Sequence, residues 1–334
     1  MDRVLNIEVT DAAGYESDEL TISLDDAHPQ IARPREGAEL ALSLGFAETG
    51  LIFIGTYIFE EIERNGYEQT VTLIAKAADH AKTLKEPKTR NWDKKTFGEI
   101  LETIAKEHNL KPIVADKLAS HLIAYVAQTE ESDQHFLTRL GKRIGAVVAP
   151  KDGHLLATER HSGKTASGKD MPTIIVTKGK LISDGAYYVR LKPRSRFSKV
   201  RALYEDTATR TTKEIVLQIG DEGPLMTLRN PFQSAIEARQ ACEAKRRELR
   251  AGEGELSFDM LGEPTARAEM PISVLNVALD ADGDWISSNV THRWDYSDGG
   301  GATTTVEAQF GMDDKKKKKP KSKPTGDYVS ILDR

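Results

Sequence analysis

A run from Gly163 to Lys169, GKTASGK, has the glycine and lysine spacing that opens a phosphate-binding loop. Such a loop lies between a strand and a helix, and a Ser or Thr after the lysine places its hydroxyl on Mg²⁺. Here Asp170 stands in place of that hydroxyl residue, and Met171-Pro172 and the β-rich run TIIVT follow where the helix should begin. The sequence therefore favours an exposed loop over a nucleotide site.

Three aspartates at alternate positions, Asp280, Asp282 and Asp284, resemble the start of a calcium-binding loop. A helix–loop–helix calcium site places a glycine after the third carboxylate and ends with a distant bidentate Glu. Gly283 instead precedes the third aspartate, and no helical pattern flanks the run. An Asp-Gly turn that leads into a strand at Trp285 is the better interpretation.

The histidines and the cysteine do not have the spacing of metal ligands. Four histidines are scattered along the middle of the chain: His121, His135, His154 and His161. Cys242 is the only cysteine, so the chain has no cysteine pair for zinc. His292 shares a predicted strand face with Trp294 and is interpreted as a packed or hydrogen-bonded core histidine.

Catalysis by paired carboxylates, as in glycoside hydrolysis, is suggested by Glu60, Glu61 and Glu63. Adjacent side chains on a strand point to opposite faces, so a solvated strand explains these residues better. No nucleophile elbow or triad is present, and Cys242, in a predicted helix, is interpreted as a buried small hydrophobe. The sequence thus predicts no catalytic, cofactor-binding or metal-binding residues and no enzyme.

Composition indicates a globular protein of two or three domains. The chain has 334 residues, of which 39% are hydrophobic and 30% charged. It contains no apolar run of a membrane-spanning length and no secretory signal at its first residues, MDRVLNIEV. The single cysteine excludes an intrachain disulfide, which fits synthesis in a reducing cytoplasm. No stable membrane association is expected.

Charge is unevenly distributed along the chain. The formal net charge is −5, but residues 312–334 carry seven Lys and one Arg against four Asp. The remainder is therefore more acidic than the total, which argues against specific nucleic-acid binding. The run Lys315–Lys319 predicts a disordered, solvated tail. A docking role for the apolar residues after it, from Tyr328 to Leu332, is the alternative.

Three successive patterns along the sequence assign these residues to predicted strands and helices. Period-two alternation over residues 1–82, for example at Leu5, Ile7 and Val9, predicts a β meander, with a tight primed turn at Asn65-Gly66. Residues 83–170 change to an α+β pattern. Capping boxes begin helices after Thr96 and Ser234, a helix after Ser132 ends at Gly145, and AVVAP and HLLAT form a hairpin around Asp152-Gly153.

Residues 171–311 return to strands around one helix that ends near Gly252. KVRALYED, TTKEIVLQIG and LSFDM are predicted strands, and SDGGG closes a hairpin of Trp285–Trp294 with Thr303–Phe310. Alternation places Ile286, Val290, His292 and Trp294 on one face of the first arm. Val306, Ala308 and Phe310 share a face of the second arm.

An ordered series of segments along the chain resembles the late control protein D family of contractile-tailed phages, which are baseplate hub proteins. The segments are VTDAAGYESDELTISLDD (9–26), RPREGAELALSLGF (33–46), NWDKKTFGEILETIAKEHNL (91–110), QTEESDQHFLTRLGKRIGAVVAPKDGHLL (128–156), GKTASGKDMPTIIVT (163–177), GPLMTLRNPFQSAIEARQACEAKRRELRAGEGELSFDM (223–260) and GDWISSNVTHRWDYSDGGGATTTVEAQF (283–310). The resemblance runs from about residue 3 to about residue 310. Such hubs are similar to the hub part of the type VI secretion spike protein VgrG.

The resemblance implies a mainly β (α+β) fold with two tube-like antiparallel β-barrel domains, at 1–82 and 171–311, and an inserted α+β domain at 83–170. It implies a homotrimer that forms a pseudo-hexameric ring in the tail baseplate of a phage or tailocin. This ring would adapt the hexameric tail tube to the trimeric spike, with the tube, spike and tape-measure proteins and other baseplate components as partners. Two similar barrels in each of three protomers give six roughly equivalent positions.

Two departures from the family pattern accompany the resemblance. Family members usually have a further strand before the position of Asp2-Arg3-Val4-Leu5, so the first barrel is expected to lack a strand or the start to be internal. The lysine-rich tail lies outside the shared pattern. A tail-associated cell-wall hydrolase and a spike-less hub of a type VI-like secretion machine are the alternative functions, which a catalytic constellation or neighbouring secretion genes would favour.

Overall fold

The computed structural model describes residues 3–14, 18–77, 82–151, 153–192, 197–206, 209–229 and 231–310. Within these ranges the chain is mainly β, as predicted, with nineteen strands and four α-helices. None of the described helices is long and apolar enough to cross a membrane. The predicted tail with Lys315–Lys319, as well as Asp152, lies outside the described residues.

The first five strands arise from the period-two pattern. They are β1 Val4–Ala12, β2 Glu19–Asp25, β3 Glu39–Phe46, β4 Gly50–Asn65 and β5 Thr70–Ala77. They lie in the antiparallel order β1-β2-β5-β4-β3. Residues expected on the inner face, such as Val9, Leu20 and Val71, are buried, which confirms the alternation.

This group of strands bends around its own core. Leu42 and Leu44 on β3 share a buried cluster with Ile7 on β1 and with Trp294 from the C-terminal region. Because three strands separate β1 from β3 in the sheet, a common core requires strong curvature of the kind found in barrels.

The turn between β4 and β5 differs from the prediction. The prediction of a two-residue primed turn at Asn65-Gly66 is wrong. Asn65 pairs with Thr70, which leaves a loop of four residues between the strands. Positive φ occurs at Gln69 (51°) instead. The Asn65 Oδ1 accepts hydrogen bonds from the amides two and three residues further on (3.1 and 3.3 Å). Asparagine therefore stabilises the turn through its side chain rather than through a left-handed backbone.

The middle of the chain is an α+β region with its own core. Its elements are β6 Pro87–Thr96, α1 Phe97–Glu107, β7 Lys111–Val114, α2 Asp116–Ala119, β8 Leu122–Ser132, α3 Asp133–Ile144, β9 Ala146–Lys151 and β10 His154–Glu159. The predicted capping box of Thr96 with Glu99 is present, and α3 begins after Ser132 and ends at left-handed Gly145. The β9–β10 hairpin is also confirmed. One buried cluster unites the three helices with the strands.

The remaining elements are β11 Ile174–Val176, β12 Tyr187–Leu191, β13 Lys199–Asp206, β14 Thr211–Gln218, β15 Leu225–Thr227, α4 Ala235–Ala251, β16 Gly254–Leu261, β17 Pro271–Val274, β18 Gly283–Asp295 and β19 Ala302–Phe310. The predicted strands and the end of α4 at Gly252 are confirmed. The second capping box is only half formed, because the Glu237 carboxylate accepts from the Gln233 amide rather than from that of Ser234.

One sheet joins the first and last regions. Its order is β12-β16-β19-β18-β1-β2-β5-β4-β3, and β17 and β11 branch from β18. β1 and β18 are antiparallel neighbours over seven residue pairs, from Asn6–Asp295 to Ala12–Asn289. The two regions predicted as barrels are therefore connected by main-chain hydrogen bonds within a single protomer.

A bulge changes the predicted face of β18. The register with β19 shifts between Ser287 and Asn289, so one extra residue lies in β18. An extra residue reverses the side-chain alternation. Trp285, rather than Ile286, therefore shares a face with Val290, and the predicted placement of Ile286 is wrong. The second arm is as predicted, because no shift interrupts β19 between Val306 and Phe310.

Candidate functional site

The phosphate-loop-like segment is closed by its own backbone. The Thr165 amide donates to the Lys169 carbonyl (2.8 Å), and the Gly168 amide donates to the Thr165 carbonyl (2.9 Å). The Met171 amide donates to the Gly163 carbonyl (2.9 Å). These amides are engaged within the loop, and strand β11 follows instead of a helix. The exposed-loop prediction is confirmed.

The aspartate run also has a structural role. Asp282 Oδ1 accepts from the amides of Val277 (2.8 Å) and Ala278 (3.2 Å), and Oδ2 accepts from that of Asn276 (3.1 Å). The Asp284 carboxylate accepts from the Ser273 hydroxyl (3.2 Å). Asp282 thus organises the turn before β18, as the sequence predicts.

His292 is a core histidine. Its Nε2 lies 3.1 Å from the Ala266 carbonyl, so Nε2 is the donor, and Nδ1 accepts from the Thr304 hydroxyl at 3.0 Å. Burial lowers the pKa of His292 to about 4. The ring is therefore neutral and bridges β18 to the segment before β17, which confirms the packed interpretation.

The other residues that the sequence analysis considered for catalysis or metal binding lie at separate places in the fold. Glu60 is exposed and pairs with Lys76 (3.2 Å), as expected of a solvated strand. Cys242 is buried against β13 and β14, and burial raises its pKa to about 11, which fits a small hydrophobe. His121 is buried, and burial lowers its pKa. His135 pairs with Glu131 on the surface of α3 (2.8 Å).

Sequence reasoning missed a buried charged cluster at the start of α3. The Asp133 side chain has 0% exposure. Its carboxylate accepts from four donors: Lys88 Nζ at 2.7 Å, Arg90 Nη2 at 2.5 Å, His108 Nε2 at 2.8 Å and Gln128 Nε2 at 2.8 Å. Burial acts to raise the pKa of Asp133, but these donors outweigh it and lower that pKa. We call Asp133 and its four donors, with Glu107, the Asp133 cluster.

Within the described part of the chain, Glu107, His108 and Asp133 are the one group with metal-ligand proximity. Lys88 Nζ and Arg90 Nη1 also bind the Glu107 carboxylate, at 2.8 and 2.6 Å. Two cations therefore already neutralise the two carboxylates, and a divalent ion would have to displace them. The geometry favours a structural role, in which strand β6 is fixed to the ends of α1 and α3.

A second charged group lies between the predicted domains. Lys151 Nζ, at the end of β9, is 3.0 Å from Asp11 Oδ1 on β1 and 3.0 Å from Asp18 Oδ2 before β2. Asp11 Oδ2 also accepts from the Ala268 amide (3.2 Å). Burial, followed by repulsion from Asp11, raises the pKa of Asp18 to about 6 despite the opposing Lys151. Burial also acts on Lys151, but the two carboxylates raise its pKa overall.

Glu269 extends this group next to Ala268. Its Oε2 accepts from the His161 amide (2.8 Å), whereas Oε1 has no hydrogen-bond partner. Burial raises the pKa of Glu269 to about 7. We call Asp11, Asp18, Lys151 and Glu269 the junction, because they connect the first, middle and last regions of the chain.

Exposed apolar side chains occur on both faces of the β3–β4 hairpin, near its contact with the end of β16. The Phe46 ring lies 6.0 Å from that of Trp294 and packs close to Gly262, and Arg267 Nη2 donates to the Phe53 carbonyl (3.3 Å). Leu51, Phe53 and Leu261 are 72%, 55% and 61% exposed. We call Phe46, Leu51, Phe53 and Leu261 the apolar rim. A group of this kind is typical of a protein–protein contact.

The family model described as phage tail baseplate hub (GPD) matches residues 58–297. The chain is 31% identical to the probable baseplate hub protein of Escherichia phage 186, over 94% of this chain and 90% of that protein. It is similar in fold to the 43 kDa tail protein of prophage MuSo2 from Shewanella oneidensis, with a TM-score of 0.65, 16% identity and coverage of 91% and 93% of the two chains.

A third similarity is to a component of the type VI secretion system of E. coli, with a TM-score of 0.55 and 13% identity over 93% of this chain and 74% of that one. At these identities the two solved structures support the fold alone. The family match and the phage 186 relative cover most of the chain and confirm the resemblance found in the sequence. The chain therefore belongs to the phage tail baseplate hub family.

Proposed function

We propose that the protein is the baseplate hub of a contractile phage tail or tailocin, and that a homotrimer of it adapts the hexameric tail tube to the trimeric spike. Membership of the hub family over most of the chain carries this proposal. The protein acts by assembly rather than by catalysis, and its site of action is the tail baseplate of the particle.

The arrangement of sheets supports a ring of six roughly equivalent units. Each protomer contributes one curved β region at its N-terminal end and one at its C-terminal end, and the β1–β18 pairing holds them together. Main-chain pairing over seven residues restrains relative motion of the two regions. Three protomers would then supply six positions to a hexameric tube and three to a trimeric spike.

Separate cores support the proposed division into domains 1–82, 83–170 and 171–311. One buried cluster lies entirely between Leu84 and Ala157, and another lies between Ile174 and Ala308. The clusters of the first region include residues from β1 to β5, and the last region contributes only buried Trp294 and partly buried Ala302 to them.

The outer strands of the large sheet and the apolar rim are the proposed contacts with other subunits. Among the described strands, β3 pairs only with β4, and β12 pairs only with β16. An outer strand offers unpaired main-chain groups to a neighbouring chain. Tyr188 on β12 is 61% exposed, so both outer strands lie near exposed apolar groups.

The test is the mass of the purified chain by light scattering, alone and mixed with the spike protein of the same particle. We expect three times the 36.9 kDa of one chain, or a three-to-three complex with the spike. Leu51→Asp and Phe53→Asp should reduce assembly, because a charge in a buried contact is costly. Tyr67→Asp is the matched control, because Tyr67 is 98% exposed at the opposite end of β4.

A folded chain that stays monomeric in the presence of the spike would overturn the trimeric adaptor. Release of cell-wall fragments by the purified wild-type chain would favour the hydrolase instead. Unchanged assembly of both rim variants would leave the hub function intact but remove the apolar rim from its contacts.

A further inference from the structure

A groove lies between the C-terminal end of α3 and the outer face of α4. Two adjoining cavities form it, of about 460 and 300 Å³. Lys142, Ala244 and Glu248 line both cavities, so the two cavities adjoin along α4. Their size is within the range of small-molecule and peptide side-chain sites. The groove shares no residue with the apolar rim.

The groove is strongly cationic in a chain whose net charge is −5. Six basic residues line it: Lys142, Arg143, Arg160, Arg229, Lys245 and Arg247. Glu248 is the one acid among the lining residues, and its carboxylate is already bound by Lys245 Nζ at 2.6 Å. The local excess of positive charge therefore attracts anionic groups.

These cations differ in how far they are neutralised. Arg143 pairs with Glu237, and Arg247 pairs with Glu159 (2.9 Å). Lys142 and Arg229 are exposed and have no acidic partner within the described residues. The charges of these two side chains are thus available to a ligand without the loss of an existing ion pair.

The wall of the larger cavity is apolar. Leu228, Phe232, Ala241 and Ala244 line it, and the Arg143 guanidinium lies 5.7 Å from the Phe232 ring centre. Small side chains at Ala241 and Ala244 keep the groove open beside the end of α3. An apolar side chain between flanking carboxylates would fit this combination of an apolar wall and a basic edge.

The smaller cavity adds Arg160, His161 and Arg247 to the lining of the groove. His161 is buried, and its Nδ1 has no hydrogen-bond partner. Burial, followed by repulsion from Arg160 and Arg247, lowers the pKa of His161 to about 4. A carboxylate in this cavity would offset the positive charge of Arg160 and Arg247. The second cavity therefore favours the same chemistry as the first.

We propose that this groove, the α3–α4 groove, docks an acidic segment of another protein, with an apolar side chain against Phe232 and carboxylates on Lys142 and Arg229. The proposal does not depend on the trimeric ring, because all of its residues lie within one protomer.

The test is fluorescence anisotropy of the full chain with a labelled peptide of about ten residues in which Leu-Phe is flanked by Asp and Glu. We expect binding that weakens as salt is raised, because screening reduces attraction between exposed charges. Lys142→Glu combined with Arg229→Glu should weaken binding by at least about tenfold. Phe232→Ala should weaken it as well, through loss of the apolar contact.

Lys111→Glu combined with Lys180→Glu is the control, because these exposed lysines lie outside the groove and the net charge changes equally. Melting temperatures should match between the two double variants, since none of the four residues forms an ion pair in the described structure. Equal binding by both double variants would overturn the proposal. So would equal binding of a peptide whose Leu-Phe is replaced by Gly-Gly, because the groove would then be only a non-specific basic surface.

Discussion

The Asp133 cluster and the junction both bury carboxylates, but they balance charge differently. Asp133 and Glu107 share two cations, and histidine and glutamine donors complete the hydrogen bonds of Asp133. At the junction, Asp11 and Asp18 share Lys151 alone. The pKa of Asp133 is consequently lowered, whereas that of Asp18 is raised to about 6.

The difference in charge balance between the two groups follows from where each of them lies in the fold. The Asp133 cluster lies inside one region, where β6, α1, β8 and α3 bring enough donors to satisfy each carboxylate. The junction lies between regions, where each element contributes one group and the charges do not balance. The contact between regions is thereby sensitive to pH near 6, whereas Asp133 stays ionised down to its own lowered pKa.

The largest effect is expected at Asp133. Asp133→Asn removes the charge that Lys88 and Arg90 neutralise and leaves buried donors without an anionic acceptor. Loss of one partner from a buried charged network costs about 3–5 kcal/mol. Urea unfolding of the variant should show this loss as a lower midpoint at an unchanged m-value.

Glu107→Gln is the matched control for the same cluster. Its carboxylate binds the same two cations but is 36% exposed, so we expect a loss below about 1 kcal/mol. Equal losses for the two variants would contradict the importance of burial, and no loss at Asp133 would remove the cluster as a stabilising element.

Lys151→Met should have the next largest effect. It leaves Asp11 and Asp18 close together without a cation, and repulsion should lower the free energy of unfolding by about 2–3 kcal/mol at pH 7. Adding Asp18→Asn should restore part of the loss, because one of the two charges is then removed. A double-mutant cycle from thermal unfolding measures this coupling. Additive effects would show that the two residues do not interact.

The sequence predicted those parts of the fold that depend on neighbours along the chain. Thr96 with Glu99 and left-handed Gly145 mark helix ends through contacts within a few residues. Alternation likewise located the strands, because burial of one face repeats every second residue. Family resemblance, rather than any local pattern, indicated the hub function.

Features that depend on distant partners escaped prediction. The bulge in β18 is set by its register with β19, so alternation alone misplaced Ile286. Asp133 and Arg90 are brought together by the pairing of β6 with β8, although 43 positions separate them in the sequence. The alternate positions of Lys88, Arg90 and Trp92 in the sequence indicate a shared strand face. No pattern in the sequence indicates which carboxylate the two cations bind.

Glu269→Gln should stabilise the protein modestly at pH 8. The wild-type carboxylate is buried with one unpaired oxygen, and its pKa is raised from 4.5 to about 7. Its contribution to stability is therefore present below pH 4.5 and is lost as pH rises through 7. We expect a gain of about 1 kcal/mol for the variant at pH 8, and little difference at pH 4. A loss at pH 8 would mean that Glu269 is ionised and well compensated.

The sharpest test of the comparison is the sign of a pH slope. Asp18 has a folded pKa of about 6 against 3.8 for the unfolded chain, so its ionisation destabilises the wild type as pH rises from 4 to 6. The stability of Asp18→Asn relative to the wild type should therefore increase over that interval.

Asp133 has a lowered folded pKa, so its stabilising contribution is present above pH 3.8 and is lost as pH falls through the folded value. The relative stability of Asp133→Asn should accordingly fall as pH rises from about 2 to 4. Unfolding of each variant and of the wild type over its own pH interval measures how their difference in stability changes with pH. Slopes of the same sign for the two variants would show that the junction is as well compensated as the cluster.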